Sequence, residues 1–407
     1  MSISSALMDS FLTLSNPFKQ FQSFNQIIPA AYFKSATLKS YKKRKEKMEQ
    51  QNKKFFKDLV MAPSPSGFEQ PAQTIYRNFV DEYADKLTTD VHGNVVAFKK
   101  GEGKLRLMFS GHADEIGLMV NYIDDNGFIR FQPIGGVDTG LLPGLRVNIY
   151  HNGKKVRGVI GKKPIHLLKP DDRKKAAKIR DLWVDIGAKD KKETLKRVSI
   201  GDPITFDPGM DILKGNIVST KATDNKVGVY VVGAILKELA GEQVSANIYS
   251  VSSVQEEIGL RGAATSAFGI DPHVGIAIDV THATDYPGIE KILDGDIKLN
   301  EGPVISVGAN INPKVFQLLK QAGDDVKIKY QIEAAPRGTG TDANAIQVTR
   351  SGVAAGLVSA PNRYMHTPSE IISLKDLDEI VKLLAQFARI IDDKTDFIPM
   401  DFQGDSA

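Results

Sequence analysis

The stretch Ser250-Val-Ser-Ser-Val-Gln-Glu-Glu-Ile-Gly-Leu-Arg-Gly262 runs from an apolar, strand-like segment straight into two adjacent carboxylates and then into glycines. Residues Asn247 to Val254 predict a buried β-strand. An acidic pair at the end of such a strand gains nothing from burial, because an unpaired carboxylate is costly to desolvate. The carboxyl ends of strands are also where an open α/β sheet places its chemistry. The pair is therefore expected to have work to do, with Glu257 binding a metal and Glu256 acting as a base on the metal's water.

Around this stretch the pattern is that of an α/β protein. Helices are predicted over Lys42–Val60, Glu69–Lys86, Asp224–Leu239 and Lys314–Gln321, from about Thr341, and over Leu374–Ile391. Strands are predicted over Leu105–Ser110, Val274–Asp279, Lys327–Ile332 and Ala354–Val358, and Asp90–Ala97 reads as a turn with its hairpin. From about Val120 to Met210 the texture changes to short β-like pieces separated by Gly, Pro and charged turns. These pieces are Phe128–Gln132, Arg146–Tyr150, Val156–Ile160, Val198–Ile200 and Pro203–Phe206, and only the charged stretch Asp171–Asp181 looks helical. The expectation is a small β-rich domain, residues 120–210, inserted into a discontinuous α/β domain of residues 52–119 plus 211–398. Residues 1–51 read as an extension, flexible or docked on the surface.

Composition narrows the classes. A chain of 407 residues with 42% hydrophobic and 25% charged residues has the make-up of a globular protein with a sizeable core. The net charge of +4 is small, and much of the excess lies near the run Lys42-Lys-Arg-Lys45, which reads as a solvated helix face. No nucleic-acid-reading motif is present, and no apolar run approaches the roughly 20 residues of a membrane span. The absence of cysteine removes disulfides, a thiol nucleophile and thiolate ligands, and fits a reducing, cytoplasmic setting. The Ser- and Phe-rich extension, with Asp9 its single acidic residue before Glu46, gives organellar targeting as the alternative, although its first arginine comes only at Arg44.

There are seven histidines, among them His112 at a predicted strand end and His366 in the segment that follows another predicted strand. In His112-Ala-Asp114, positions i and i+2 share a face, so Asp114 can accept the second N–H of the imidazole and fix its tautomer. The plain alternative is a surface-loop histidine next to an acid. Asp224 opens a predicted helix, where an Asp is either an N-cap or, functionally, a carboxylate bridging two cations. Asp279 ends an apolar strand and otherwise reads as a turn residue, and His366 otherwise reads as a packed loop histidine. Two cations roughly 3.5–4 Å apart need a shared carboxylate with imidazole and carboxylate on each side. Nitrogen and oxygen donors without thiolate suit zinc, with cobalt or manganese as alternatives.

As an ordered set, Gly111-His-Ala-Asp-Glu-Ile-Gly117, Lys221-Ala-Thr-Asp-Asn225, Val254-Gln-Glu-Glu-Ile-Gly259, Ile278-Asp279, Gly340-Thr-Asp-Ala343 and Arg363-Tyr-Met-His366 resemble the tetrahedral-aminopeptidase, glutamyl-aminopeptidase and cellulase-M family of di-metal peptidases. The likeness runs from about Asn52 to Asp393. It implies a zinc-exopeptidase-like mixed sheet flanked by helices, and a metallo-aminopeptidase that removes the N-terminal residue of peptides. It implies His112 and Asp279 on one metal, Glu257 and His366 on the other, Asp224 bridging, Glu256 as general base and Asp114 orienting His112. Asp342 is implied, more weakly, to shape the substrate pocket, where an Asp in Gly-Thr-Asp-Ala is otherwise a helix cap. The resemblance further implies that the β-rich insert mediates dimerisation within a dodecameric shell. Where many relatives carry Asp and Arg after the bridging Asp, this chain has Asn225 and Lys226. The alternatives are a deacylase, amidohydrolase or carboxypeptidase on the same site, or a shell protein without activity.

Overall fold

The computed structural model describes residues 49–400, apart from Pro208 and the side chain of Asp172. The basic run Lys42–Lys45 and all but the last three residues of the expected extension lie outside the described residues. From Asn52 onward the chain is one unit by its contacts.

Residues 52–61 lie in a helix (α1) that delivers Phe55, Phe56, Leu59 and Val60 to the core, and Gln70–Val80 is a second helix (α2). Lys86–Thr89 (β1) and Val95–Lys99 (β2) form an antiparallel hairpin, turned by Asp90, whose carboxylate accepts the backbone N–H groups of His92, Gly93 and Asn94. The expected helix Glu69–Lys86 is therefore too long. Its last turn unwinds after Val80, because the chain from Lys86 is needed as the first arm of the hairpin.

After Arg106–His112 (β3) comes a closed antiparallel barrel. Its strands are Gly117–Ile123 (β4), Ile129–Ile134 (β5), Arg146–His151 (β6), Lys154–Lys162 (β7), Leu182–Asp185 (β8) and Pro203–Phe206 (β9), in the order β4-β5-β8-β7-β6-β9. Closure leaves no free edge, and the barrel has an apolar core of its own built from residues such as Leu118, Phe131, Ile149, Val184 and Ile204. Two expectations fail here. Val198–Ile200 is not a strand but the turn after a short helix, Lys191–Thr194 (α3), where the Val198 N–H bonds the Thr194 carbonyl. Asp171–Asp181 is not an α-helix but holds two 3-10 turns, Pro170–Lys174 and Ile179–Asp181.

The chain then returns through Met210–Ile212 (β10) and Ile217–Thr220 (β11) to the helix Thr223–Glu238 (α4). α4 is buried on every side, as a helix with Val227, Val229, Val231, Val232, Ile235 and Leu236 around its circumference must be. Asn247–Ser253 (β12), Arg261–Ile270 (α5), Val274–His282 (β13), Lys291–Asp294 (α6), Val304–Gly308 (β14), Pro313–Asp325 (α7), Gln331–Ala335 (β15), Asp342–Gln347 (α8), Ala354–Asn362 (β16), Glu370–Ser373 (β17) and Leu374–Ile390 (α9) follow. The strand expected over Lys327–Ile332 starts at Gln331, because Lys327 is in the left-handed region and closes α7.

The central sheet has the order β1-β2-β12-β3-β13-β16-β14-β15. Its middle four strands, β12, β3, β13 and β16, are mutually parallel, so their carboxyl ends share one edge. α4, α7 and α9 pack in the larger cluster on one side, while α5 and α8 share a smaller cluster with Met108 and Val251 on the other. β10, β11 and β17 form a small antiparallel sheet beside it. No helix among the described residues is long and apolar enough to cross a membrane.

Candidate metal centre

His112 is the last residue of β3 and lies in register with Ser253, the last residue of β12. The sheet thus delivers the imidazole and the Glu256-Glu257 turn to the same edge. Asp114 ties them together. Its carboxylate accepts the N–H of Glu256 at 3.0 Å, the N–H of Glu257 at 3.1 Å and the Ser66 hydroxyl at 2.6 Å. His112 Nδ1 lies 3.3 Å from Asp114 Oδ1 and 3.2 Å from the Asp114 carbonyl. These acceptors keep the proton on Nδ1 and leave the Nε2 lone pair directed outward.

Asp224 does not cap α4. Its backbone (φ −79°, ψ 105°) is not helical, and the peptide to Asn225 is cis. Asn225 takes the capping role instead: its side-chain oxygen accepts the Gly228 N–H at 2.9 Å, and its amide donates to the Ile278 carbonyl at 2.8 Å. The Asp224 carboxylate is thereby left for the strand edge. One of its oxygens, Oδ1, stands 3.3 Å from His112 Nε2 and the other, Oδ2, stands 3.2 Å from His366 Nε2.

Two groups of ligand atoms result. His112, Glu256 and Asp279 converge on one side, with Asp279 Oδ1 3.9 Å and Glu256 Oε2 3.7 Å from His112 Nε2. Asp224, Glu257 and His366 converge on the other, with Glu257 Oε2 3.6 Å from His366 Nε2. Every residue expected at the centre is brought into it except Asp342. That side chain is 2% exposed at the first turn of α8, and its Oδ2 accepts the hydroxyls of Ser110 and Ser253, each at 2.7 Å. It backs the strands that carry His112 and Glu256, and it presents no surface to a substrate.

Further residues brace the centre. Glu370 is 2% exposed and bonds both halves of the second group. Its Oε2 accepts the Asp224 N–H at 3.1 Å and the Thr223 hydroxyl at 2.6 Å, and its Oε1 accepts the His366 N–H at 3.0 Å. The residue opens β17, and its partners Asp224 and Thr223 lie 146 and 147 residues away. Gly136, in the loop after β5, accepts His366 Nδ1–H on its carbonyl at 3.0 Å. Beneath the centre, Glu115 pairs with Lys221 and accepts the Ser64 N–H at 2.8 Å, while Lys226 bonds Ser64 Oγ and the Ala113 carbonyl. Burial holds the Lys226 amine down at about 8.

The electrostatics fit a dication pair. Burial, with the neighbouring carboxylates, pushes Glu256 up to about 10, Glu257 to about 9, and Asp279 and Glu370 to about 8. Burial would raise Asp224 too, but its contacts with His112 and His366 outweigh that and hold it below the usual carboxylate range. Without a cation the cluster must retain protons, as carboxylates crowded in a buried site do. Glu257 Oε1 is buried and has no hydrogen-bond partner. An orphaned carboxylate oxygen among imidazole and carboxylate donors is what a zinc, cobalt or manganese ion would satisfy.

Residues 93–383 match the family described as M42 glutamyl aminopeptidase. The chain is 36% identical over 350 residues to the lysyl aminopeptidase of Pyrococcus furiosus, covering 85% of this chain and 97% of that one. Its fold is similar to that of a TET aminopeptidase from a marine-sediment thaumarchaeon, with a TM-score of 0.81 at 30% identity, covering 84% and 98% of the two chains. It is also similar to the TET1 peptidase of Pyrococcus horikoshii, described as assembling into a tetrahedron or a large octahedral shell, with a TM-score of 0.75 at 32% identity over 84% and 100% of the chains.

Proposed function

The chain belongs to the M42 aminopeptidase family and is a peptide hydrolase, and from that premise we propose that it removes the N-terminal residue of peptides with two divalent ions held at the sheet edge. The observation that carries this reading is the Asp224 carboxylate, whose two oxygens each face one imidazole. His112 and Asp279 with Asp224 Oδ1 would hold one ion, and Glu257 and His366 with Asp224 Oδ2 the other. Zinc suits these donors, with cobalt or manganese as substitutes. Bound there, the ions would supply Lewis acidity that lowers the pKa of a water and polarises the scissile carbonyl.

The rest is done by the chain. Asp114 keeps His112 in the tautomer that frees Nε2 and fixes the Glu256 and Glu257 backbone. Glu256 takes a proton from the attacking water and passes it to the leaving amine. The surrounding carboxylates attract the substrate's ammonium terminus, which favours exopeptidase action. Asp342, buried behind β3 and β12, braces those strands through Ser110 and Ser253 rather than touching the substrate. The barrel provides the dimer contact in this reading, with exposed Met119, Tyr122 and Val159 on its surface, and dimers assemble to a dodecamer in a cytoplasmic setting.

A second assignment has its own observation, since Glu256 Oε2 lies within ligand spacing of His112 and Asp279. Glu256→Gln separates the two. As the base, its loss lowers kcat by about 10²–10⁴ with metal content unchanged; as a ligand, its loss empties the first position. A rate left unchanged on aminoacyl anilides would refute both. Running N-acylated and C-terminal substrates beside them tests the deacylase and carboxypeptidase alternatives.

A further inference from the structure

We propose that the Gly135-Gly136 turn of the barrel is a positioning element of the metal centre, holding His366 where its Nε2 can bind the second ion. This rests on the two-ion reading above. The turn leaves the barrel at the end of β5 and meets both ligands that belong to the second group alone. The Gly136 carbonyl accepts His366 Nδ1–H at 3.0 Å. A Cβ on Gly136 would lie 2.9 Å from His366 Nδ1 and 3.1 Å from Cε1. A Cβ on Gly135 would lie 3.2 Å from Glu257 Oε2 and 3.3 Å from Glu257 Cβ. The turn is thus closed against both side chains, and only glycines leave room for it.

The contact matters because His366 has little else around its ring. Its side chain is 37% exposed, and its backbone sits in the left-handed region at φ 60° in a loop beyond β16. A neutral imidazole on such a loop exchanges its proton between the two nitrogens. A carbonyl at Nδ1 selects the tautomer with a free lone pair on Nε2. His112 receives that service from Asp114, two residues further along the chain, whereas His366 receives it from a residue 230 positions away. The barrel's placement on the sheet therefore sets the second ligand, and the first group is independent of it.

The test titrates cobalt(II) alone into metal-free full-length chain, read by visible absorption and by bound metal per chain. Gly136 does not have a positive φ, so Gly136→Ala brings a clash with His366 without backbone strain. Gly209→Ala, where a Cβ meets nothing within 4 Å, is the control. The wild-type chain and the control are expected to bind two ions. Gly136→Ala is expected to bind the first within twofold of wild type and the second about 10–100-fold more weakly, with the metal-free melting temperature unchanged. Wild-type affinity for both ions in Gly136→Ala overturns the positioning role alone. A wild-type chain that binds only one ion sinks the two-ion reading and this proposal with it. Should Gly136→Ala fail to fold, amide hydrogen exchange on the wild-type chain decides. Saturating cobalt should slow exchange in the Ile134–Leu142 segment and leave β6 and β7 unchanged, and no slowing there counts against the turn.

Discussion

The two halves of the metal centre are built by different means. His112 and Asp279 stand on adjacent parallel strands, β3 and β13, with 1% and 5% of their surface exposed. Their spacing follows from sheet register: the parallel β3–β13 ladder runs to the pair Ser110 and Ala277, two residues before each ligand. Glu257 and His366 stand on turns, and His366 is more than a third exposed. What holds them is a set of side-chain and carbonyl contacts from distant elements: Glu370 from β17, Gly136 from the barrel and Asp114 from the end of β3. A ligand set by register is hard to disturb without unfolding the sheet, while one set by tertiary hydrogen bonds can be loosened alone. The second half is therefore expected to be the softer one.

The largest effect should come from removing what the halves share. Asp224→Ala takes the oxygen facing each imidazole, so both ions and all peptidase activity should be lost, as read by metal analysis and anilide hydrolysis. One ion retained at full affinity would show that the halves do not share this carboxylate. Next, Glu370→Gln replaces an acceptor by a donor facing a backbone N–H. It should weaken the second ion about 10–100-fold and leave the first within twofold, and equal weakening of both would erase the distinction.

A smaller effect concerns protons. Burial pushes Glu256 and Asp279 to about 10 and 8, and Glu257 to about 9. Carboxylates raised in this way are protonated at neutral pH and must release protons as cations enter. Metal affinity should thus fall as pH falls below 8, about tenfold per unit for each proton displaced. Titrating His366→Ala, which keeps only the first half, in buffers of different ionisation enthalpy should show at least one proton released per ion. No release would mean that the first half is already ionised without metal. The smallest effect is Ser66→Ala, which deletes a 2.6 Å bond to Asp114. It should cost about 1–2 kcal/mol of metal-free stability in denaturant titration and weaken the first ion more than the second.

How far the sequence reaches follows the same division. β3, β12, β13 and β16 are legible because each is an apolar run, and the residues at or just beyond their ends are the titratable ones. The roles of His112 and Asp114 rest on a two-residue spacing that survives in the structure. Asp224 reads first as a cap, because nothing local reveals that Asn225 takes the capping bond. Helix α2 is over-extended in the reading because its tail has helical periodicity while its register partner, β2, lies beyond the window. β17 is missed because four residues with a glutamate at their head have no strand pattern, and the Thr223 and Asp224 partners of Glu370 lie 147 and 146 positions away. Asp342 illustrates the opposite error: its motif is visible, but its burial against Ser110 and Ser253 is not.

What the amino-acid sequence determined by itself was the chemistry available, namely imidazoles and carboxylates without thiolates, and the strands that would carry them. Local patterning is sufficient there because strand periodicity and strand ends are properties of contiguous residues. What only the tertiary structure decided was which oxygen of Asp224 faces which histidine, what fixes His366, and that Asp342 stands behind the centre. Those outcomes depend on contacts between residues from 89 to 232 positions apart, and such contacts are set by packing of the barrel and helices against the sheet rather than by any local preference.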